Sequence, residues 1–277
     1  MAGHKLIDFD KYFAAYLDVW MRENRANYKT VDEMEEQMPE VYTRYLNIGQ
    51  PYLDGHTPGT YFSQFDDAGD LVNWMCDYFI GGVSVPDQLM ERIADLGEKS
   101  ILPLEKLVLD RTQLTDARMA AIGLLQEIDR ERPYDAYIEC VRTGEDEGEI
   151  LDYMTEALME AGDSVVEKVL AAFPDSDAEA QKRFMDVLAL HGGDERIFNY
   201  LLDAFEKAED CALLAGYLGR YQDDRALPAL KKKAIDPDIN YLEYVEVVNA
   251  IEQLGGEVPE KREFSGDPYY ESLKKLG

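Results

Sequence analysis

The sequence predicts an all-α chain, in which a small helical cap precedes a solenoid of paired helices, an α-α superhelix. Three observations point there. Apolar residues recur at helical spacing along nearly all 277 residues, and strand-like alternation is absent. Beyond residue 97, helix ends rich in Gly and Asp return at a near-constant step. Each step holds two short helical patterns rather than one long one.

The cap is expected over 1–96. Its first helix covers Asp8–Asn24. A second starts at Thr30, where Thr30-Val31-Asp32-Glu33 fits a capping box, and Pro39 should kink or split it. Periodicity disappears over 48–65, a stretch punctuated by Gly49, Pro51, Gly55, Pro58 and Gly59 and read as an irregular loop. A third helix follows over 67–80, ended by Gly81-Gly82, and Pro86 opens the next.

The repeats are expected over 97–257. The markers Asp129, Asp163, Asp194, Asp223 and Gly256 fall 34, 31, 29 and 33 residues apart. One first helix shows Val166, Val169, Leu170 and Phe173, and its successor shows Phe198, Leu201, Leu202 and Phe205. The second helices show Met154, Leu158 and Ala161, then Phe184, Val187, Leu188 and His191, then Leu214, Tyr217, Leu218 and Tyr221. Each set forms one apolar stripe. Pairs this short cannot bury their own stripe, so neighbouring pairs must stack. About five units fit, and residues 258–277, with Tyr269, Tyr270, Lys274 and Lys275, are left as a tail that would close the stack as a capping helix.

The last unit carries a resemblance. Gln222-Asp223-Asp224-Arg225-Ala226-Leu227-Pro228-Ala229-Leu230, then Ile235-Asp236-Pro237-Asp238, closing with Ala250-Ile251-Glu252-Gln253-Leu254-Gly255-Gly256, resembles a HEAT repeat of the short bacterial type found in phycobilisome-lyase-like proteins. Gly97-Glu98-Lys99-Ser100-Ile101-Leu102-Pro103-Leu104 looks like the opening of an earlier unit, whereas in the middle the repeat proline is replaced at Asn199. The resemblance covers roughly 97–257. It implies a right-handed superhelix that serves as a protein-binding scaffold, and it implies no reaction, because the fold hosts many functions. A phycobilin-lyase-like activity is a weaker implication of the resemblance alone.

Charge narrows the partners. Lys and Arg number 28 against 57 Asp and Glu, a formal charge of −29. Both parts share it, with 7 basic against 17 acidic residues over 1–96 and 21 against 40 over 97–277. No basic surface is available for phosphate backbones or anionic lipids, so neither nucleic acid nor membrane is an expected partner. No apolar run reaches the roughly 20 residues that span a bilayer. The N-terminal stretch lacks a signal-peptide pattern, and three cysteines alone in helical patterns (Cys76, Cys140 and Cys211) fit a reducing cytoplasm.

No catalytic set converges. The three histidines are His4, His56 and His191, and no His-Glu dipeptide exists to build the iron site of HEAT-like hydroxylases. Ser84 lacks the strand and second Gly of a nucleophile elbow. Asp236-Pro237-Asp238-Ile239-Asn240 begins like a calcium loop, but Tyr241 and Val247 stand where Gly and Glu are needed. The expectation is therefore a non-enzymatic scaffold without cofactor or metal.

Two groups of residues are candidates for contact with a protein partner. Asp152, Glu156 and Glu160 at i, i+4, i+8, with Glu243 and Glu246, would form an acidic row favouring a basic partner. The cap is aromatic-rich, holding 15 of the 30 Phe, Trp and Tyr residues within 1–82, and its loop presents Tyr52, His56, Tyr61 and Phe62. Packing of a small core explains these rings as readily as recognition does. The alternative is an enzyme or small-ligand site at that loop, using His56 and Asp54.

Overall fold

The computed structural model describes residues 4–257 and 262–275. The N-terminal residues Met1-Ala2-Gly3 and the first part of the tail, 258–261, lie outside the described residues. The described residues are helical and contain no strand. They form two compact units that part between Pro133 and Tyr134.

The first unit holds seven α-helices: α1 (Phe9–Asn24), α2 (Val31–Glu35), α3 (Met38–Leu46), α4 (Ala68–Gly81), α5 (Asp87–Asp95), α6 (Glu98–Leu109) and α7 (Thr115–Ile128). Sequence signals set their ends. The carboxylate of Asp8 accepts from the Lys11 amide at 2.8 Å, and that of Asp67 accepts from the Asp70 amide at 3.0 Å. Thr30 caps α2 by accepting from the Glu33 amide at 3.2 Å, while the Glu33 carboxylate reaches back to the Lys29 amide rather than to Thr30. Pro39 splits the second pattern into α2 and α3, entering the first turn of α3 where its missing N–H costs nothing. Gly82 closes α4 at φ 63°, the left-handed region.

The sequence places a boundary at 96–97, and the compact units part later because α4 and α5 pack on α6 and α7. Buried bonds tie these helices together. Ser100 donates to the Ile93 carbonyl at 2.6 Å, and the fully buried Arg118 donates through Nε to the Val108 carbonyl at 2.8 Å.

The second unit contains α8 (Tyr134–Thr143), α9 (Gly148–Met159), α10 (Val166–Ala172), α11 (Ala178–Leu188), α12 (Glu195–Lys207), α13 (Ala212–Tyr221), α14 (Leu227–Ala234), α15 (Tyr241–Gln253) and α16 (Pro268–Lys274). Helices adjacent in sequence pack together, α8 with α9, α10 with α11, α12 with α13 and α14 with α15, as α6 does with α7 in the first unit. The apolar stripes are buried: Met154, Leu158, Phe184, Val187, Leu188, Tyr217, Leu218 and Tyr221 are all at most 2% exposed. Second helices lie side by side, α9 on α11 and α13 on α15. The last two approach closely at Gly219, where a Cβ would stand 3.1 Å from the Ala250 Cα and overlap the Gln253 side chain.

Polar links run from one pair to the next at the repeat step. Arg183–Asp152, Arg196–Glu167, Arg220–Asp186 and Arg225–Glu195 are separated by 31, 29, 34 and 30 residues. In the two D-x-R markers, Asp194 and Asp223 accept from the amide and guanidinium of Arg196 and Arg225, which then reach back one pair. The tail folds onto α15. Asp267 caps α16 and accepts from the Tyr241 amide at 3.1 Å, and the buried Phe264 packs against Tyr241 and Tyr244.

Candidate functional site

The cap loop is built from short 3-10 turns, Pro51–Leu53 and Pro58–Gln64, rather than from irregular chain throughout. Its rings are consumed by packing. Phe62 is 1% exposed, which removes it from any contact surface. Tyr61 touches Phe9, Phe62, Phe65 and Trp74. Tyr52 stacks on Tyr12 at 3.7 Å and its hydroxyl pairs with that of Tyr45. Burial raises the Tyr52 and Tyr61 phenols above their ordinary value. His56 and Asp54 stand exposed at the turn, and only the edge of Tyr61 approaches the imidazole, at 6.3 Å between ring centres.

The acidic row divides. Asp152, Glu156 and Glu160 are exposed on α9, with Asp152 paired to Arg183 at 2.9 Å. Glu246 is half-buried beside Gly216 of α13. Glu243 is corrected outright: it is 4% exposed and accepts from the Cys211 amide at 3.0 Å and the Asn240 amide at 3.2 Å. Its carboxylate completes a capping box with Asn240 and ties α15 to the start of α13. No partner reaches it.

Two clefts stand out, one in each unit. In the second unit, a cleft of about 370 Å³ opens between α10 and α12 over α11. On one side α10 ends after seven residues and passes directly into a 3-10 turn, Phe173–Asp175, whose Phe173 and Pro174 face the cleft. Leu170, Ala171, Met185, Leu188 and Ile197 line it, with Phe173 and Tyr200 meeting edge to face at 4.9 Å. Tyr200 is 42% exposed. The charged border is Glu167 and Arg196, and Arg196 is held by Glu167 at 2.5 Å and Asp194 at 2.6 Å. Hydrogen bonds from Arg196 pull the Asp194 carboxyl down to about 2 and lower that of Glu167. The lining charges Glu167 and Arg196 cancel, and the net negative charge beside this apolar cleft comes from Asp194, which shares Arg196 without lining the cleft.

In the first unit, a cleft of about 650 Å³ lies between α4 and α6. Asp70, Asn73, Cys76 and Asp77 face it from α4, and Pro103, Lys106 and Leu107 from α6, with Asp110 and Gln113 just beyond. His4 closes one side. Its Nδ1 meets Asp77 at 2.8 Å, its Nε2 meets Asp70 at 3.2 Å, and its ring stacks on Trp74 at 4.9 Å and 15°. Burial would lower the His4 pKa, but the bonds and charges of Asp77 and Asp70 prevail and raise it, while the His4 amide and ring depress Asp77. Burial pushes the Cys76 thiol up to about 11, so it stays protonated. Sequence reading passed over His4 because its carboxylate partners lie 66 and 73 residues away.

Among the described residues no group of His, Cys, Asp and Glu side chains is arranged to hold a metal ion. No described helix is long and apolar enough to cross a membrane. No protein-family model, curated protein or solved structure matches the chain.

Proposed function

We propose that the chain is a non-enzymatic, HEAT-like scaffold whose second unit, in the manner of an α-solenoid, binds a segment of a basic protein. One observation carries the reading: an apolar cleft between successive repeat helices, with an exposed tyrosine at its mouth and the net negative cluster of Glu167, Asp194 and Arg196 beside it. Such a cleft suits a bulky apolar side chain as anchor, with Lys or Arg on either side of it. The formal charge of −29 and the exposed carboxylates Asp152, Glu156 and Glu160 support a basic partner by long-range attraction. Interfaces of this kind gain affinity from the buried anchor and on-rate from the charge.

The test is capture of partners from a source lysate by the intact chain, at low salt and at about 0.5 M salt, where exposed charge contacts are screened within a few ångströms. The substitution Ala171→Lys puts a positive charge, unfavourable both to an apolar anchor and to a basic partner, at the exposed lip of the cleft without touching the core. A basic protein held at low salt, weakened at high salt and lost with Ala171→Lys is the expected result. Retention unchanged by that substitution places the partner elsewhere and refutes the cleft reading.

A further inference from the structure

The polar contacts of residues 4–7 belong to no helix, and they form one continuous system. The His4 amide donates to Asp77 at 3.1 Å, and the Trp74 indole donates to the Lys5 carbonyl at 3.2 Å. The Ile7 amide donates to the Tyr78 oxygen at 3.0 Å, and the Tyr78 hydroxyl donates to the Ile7 carbonyl at 3.1 Å. Ile7 is 3% exposed, and Leu6 lies where any side chain on Gly81 would stand, so the glycine is what lets the segment come close.

At the outer end of this segment the two ring nitrogens of His4 each face a carboxylate. An aspartate can only accept, and a neutral imidazole carries a single N–H. Both contacts are therefore favourable only when the ring carries two protons. The neutral ring must turn its lone pair toward one of the two carboxylates. That cost falls on a segment whose other polar contacts are the His4 amide on Asp77, the Trp74 indole on the Lys5 carbonyl, the paired Ile7–Tyr78 bonds and the Lys5 ammonium on the Tyr52 carbonyl.

We propose that residues 4–7 are a proton-dependent strap: it lies on α4 while His4 is an imidazolium, and lifts when the ring loses a proton, baring the face of Trp74 on which that ring stacks. The other titratable groups facing the strap are Tyr78, Cys76, Asp110, Lys106, Lys5 and Asp8. The Tyr78 phenol is pushed up to about 12 and the Cys76 thiol to about 11, both by burial. Asp110, across the cleft on the α6 side, is held low by Thr112 and Gln113. Lys106 lines the far wall, Lys5 turns away to the Tyr52 carbonyl at 3.4 Å, and Asp8 is engaged in capping α1.

The sign follows from linkage. A ring whose latched pKa is raised above 6.5 contributes to closure fully below that value and loses the contribution as pH rises through the latched pKa. Opening then releases one proton, so the opening constant rises by up to about tenfold per pH unit within that window.

The experiment follows acrylamide quenching of Trp74 in the Trp20→Phe chain, which leaves one indole, from about pH 5.5 to about pH 9. Protection of the Ile7 amide in the unmodified chain, by NMR, is read alongside in case Trp20→Phe perturbs the fold. The expected result is a rise in quenching and a loss of Ile7 protection above pH 6.5. His4→Ala is expected to be open at every pH. Asp70→Asn is expected to stay closed at every pH, because its amide can donate to the neutral ring. Quenching and protection that stay flat across the range overturn the strap. So does a transition that survives in His4→Ala or is unchanged in Asp70→Asn.

Discussion

Replacing Glu243 with alanine separates a carboxylate that builds the fold from one that meets a partner. The side chain is 4% exposed and receives two backbone N–H groups, one from Cys211 across to α13 and one from Asn240 at its own helix start. Without it the buried Cys211 amide has no acceptor, a cost of about 1–3 kcal/mol. Half of the capping box goes as well, worth about 0.3–1.5 kcal/mol. The sum is about 1.3–4.5 kcal/mol, and for a unit of this size each kcal/mol moves Tm by about 2–4 °C, so a fall of about 3–18 °C is expected. Glu243→Gln can place its one carbonyl oxygen on only one of the two N–H groups and should recover only part of the loss. Differential scanning calorimetry reads both variants. A Tm for Glu243→Ala within about 1 °C of the parent, combined with weaker partner binding, refutes the reasoning and returns Glu243 to the acidic surface.

Further outcomes follow from the packing and the titrations. Phe184→Ala empties a fully buried site on α11 and should cost about 3–5 kcal/mol in denaturant unfolding. Gly219→Val forces α13 away from the Ala250 backbone and the Gln253 side chain, a loss of about 1–3 kcal/mol by the same measurement, despite the gain from removing a helical glycine. The Cys211 thiol, pushed up to about 12 by burial and by Glu243, should react with a disulfide reagent only as fast as the second unit opens. Asp194 titrates at about 2 when folded against 3.8 ordinarily, so its contribution is present above 3.8 and is lost as pH falls toward 2. Asp194→Asn should flatten the acid limb of the stability curve in that window, read by circular dichroism.

The helical plan was legible because it rests on local signals. Helices begin at Asp8 and Asp67 where the periodicity starts, Thr30 caps α2, Pro39 breaks the pattern it interrupts, and ion pairs between successive pairs span 29 and 30 residues, close to the marker steps. The site was less legible, because a helix position has two possible destinies that spacing alone does not separate. Glu243 looked like one more acid on a polar row, yet Asn240-x-x-Glu243 is also the spacing of a capping box, and that role won. Phe62 sat among loop rings that could be recognition or core, and the small cap used it as core. The cleft at Tyr200 depends on where α10 ends relative to α12, a distance between elements that no local pattern encodes. The His4 cluster has no local signal at all, since each of its partners comes from α4.

The central claim is that the α10–α12 cleft takes a partner's side chain, and a photoreactive residue at position 171 tests it most directly. Position 235, where Ile235 is 68% exposed outside the cleft, serves as the control. The account predicts a basic polypeptide crosslinked from 171 and not from 235, and crosslinking that fades when Tyr200→Ala removes the ring at the mouth. Equal crosslinking from both positions, or from 235 alone, contradicts it.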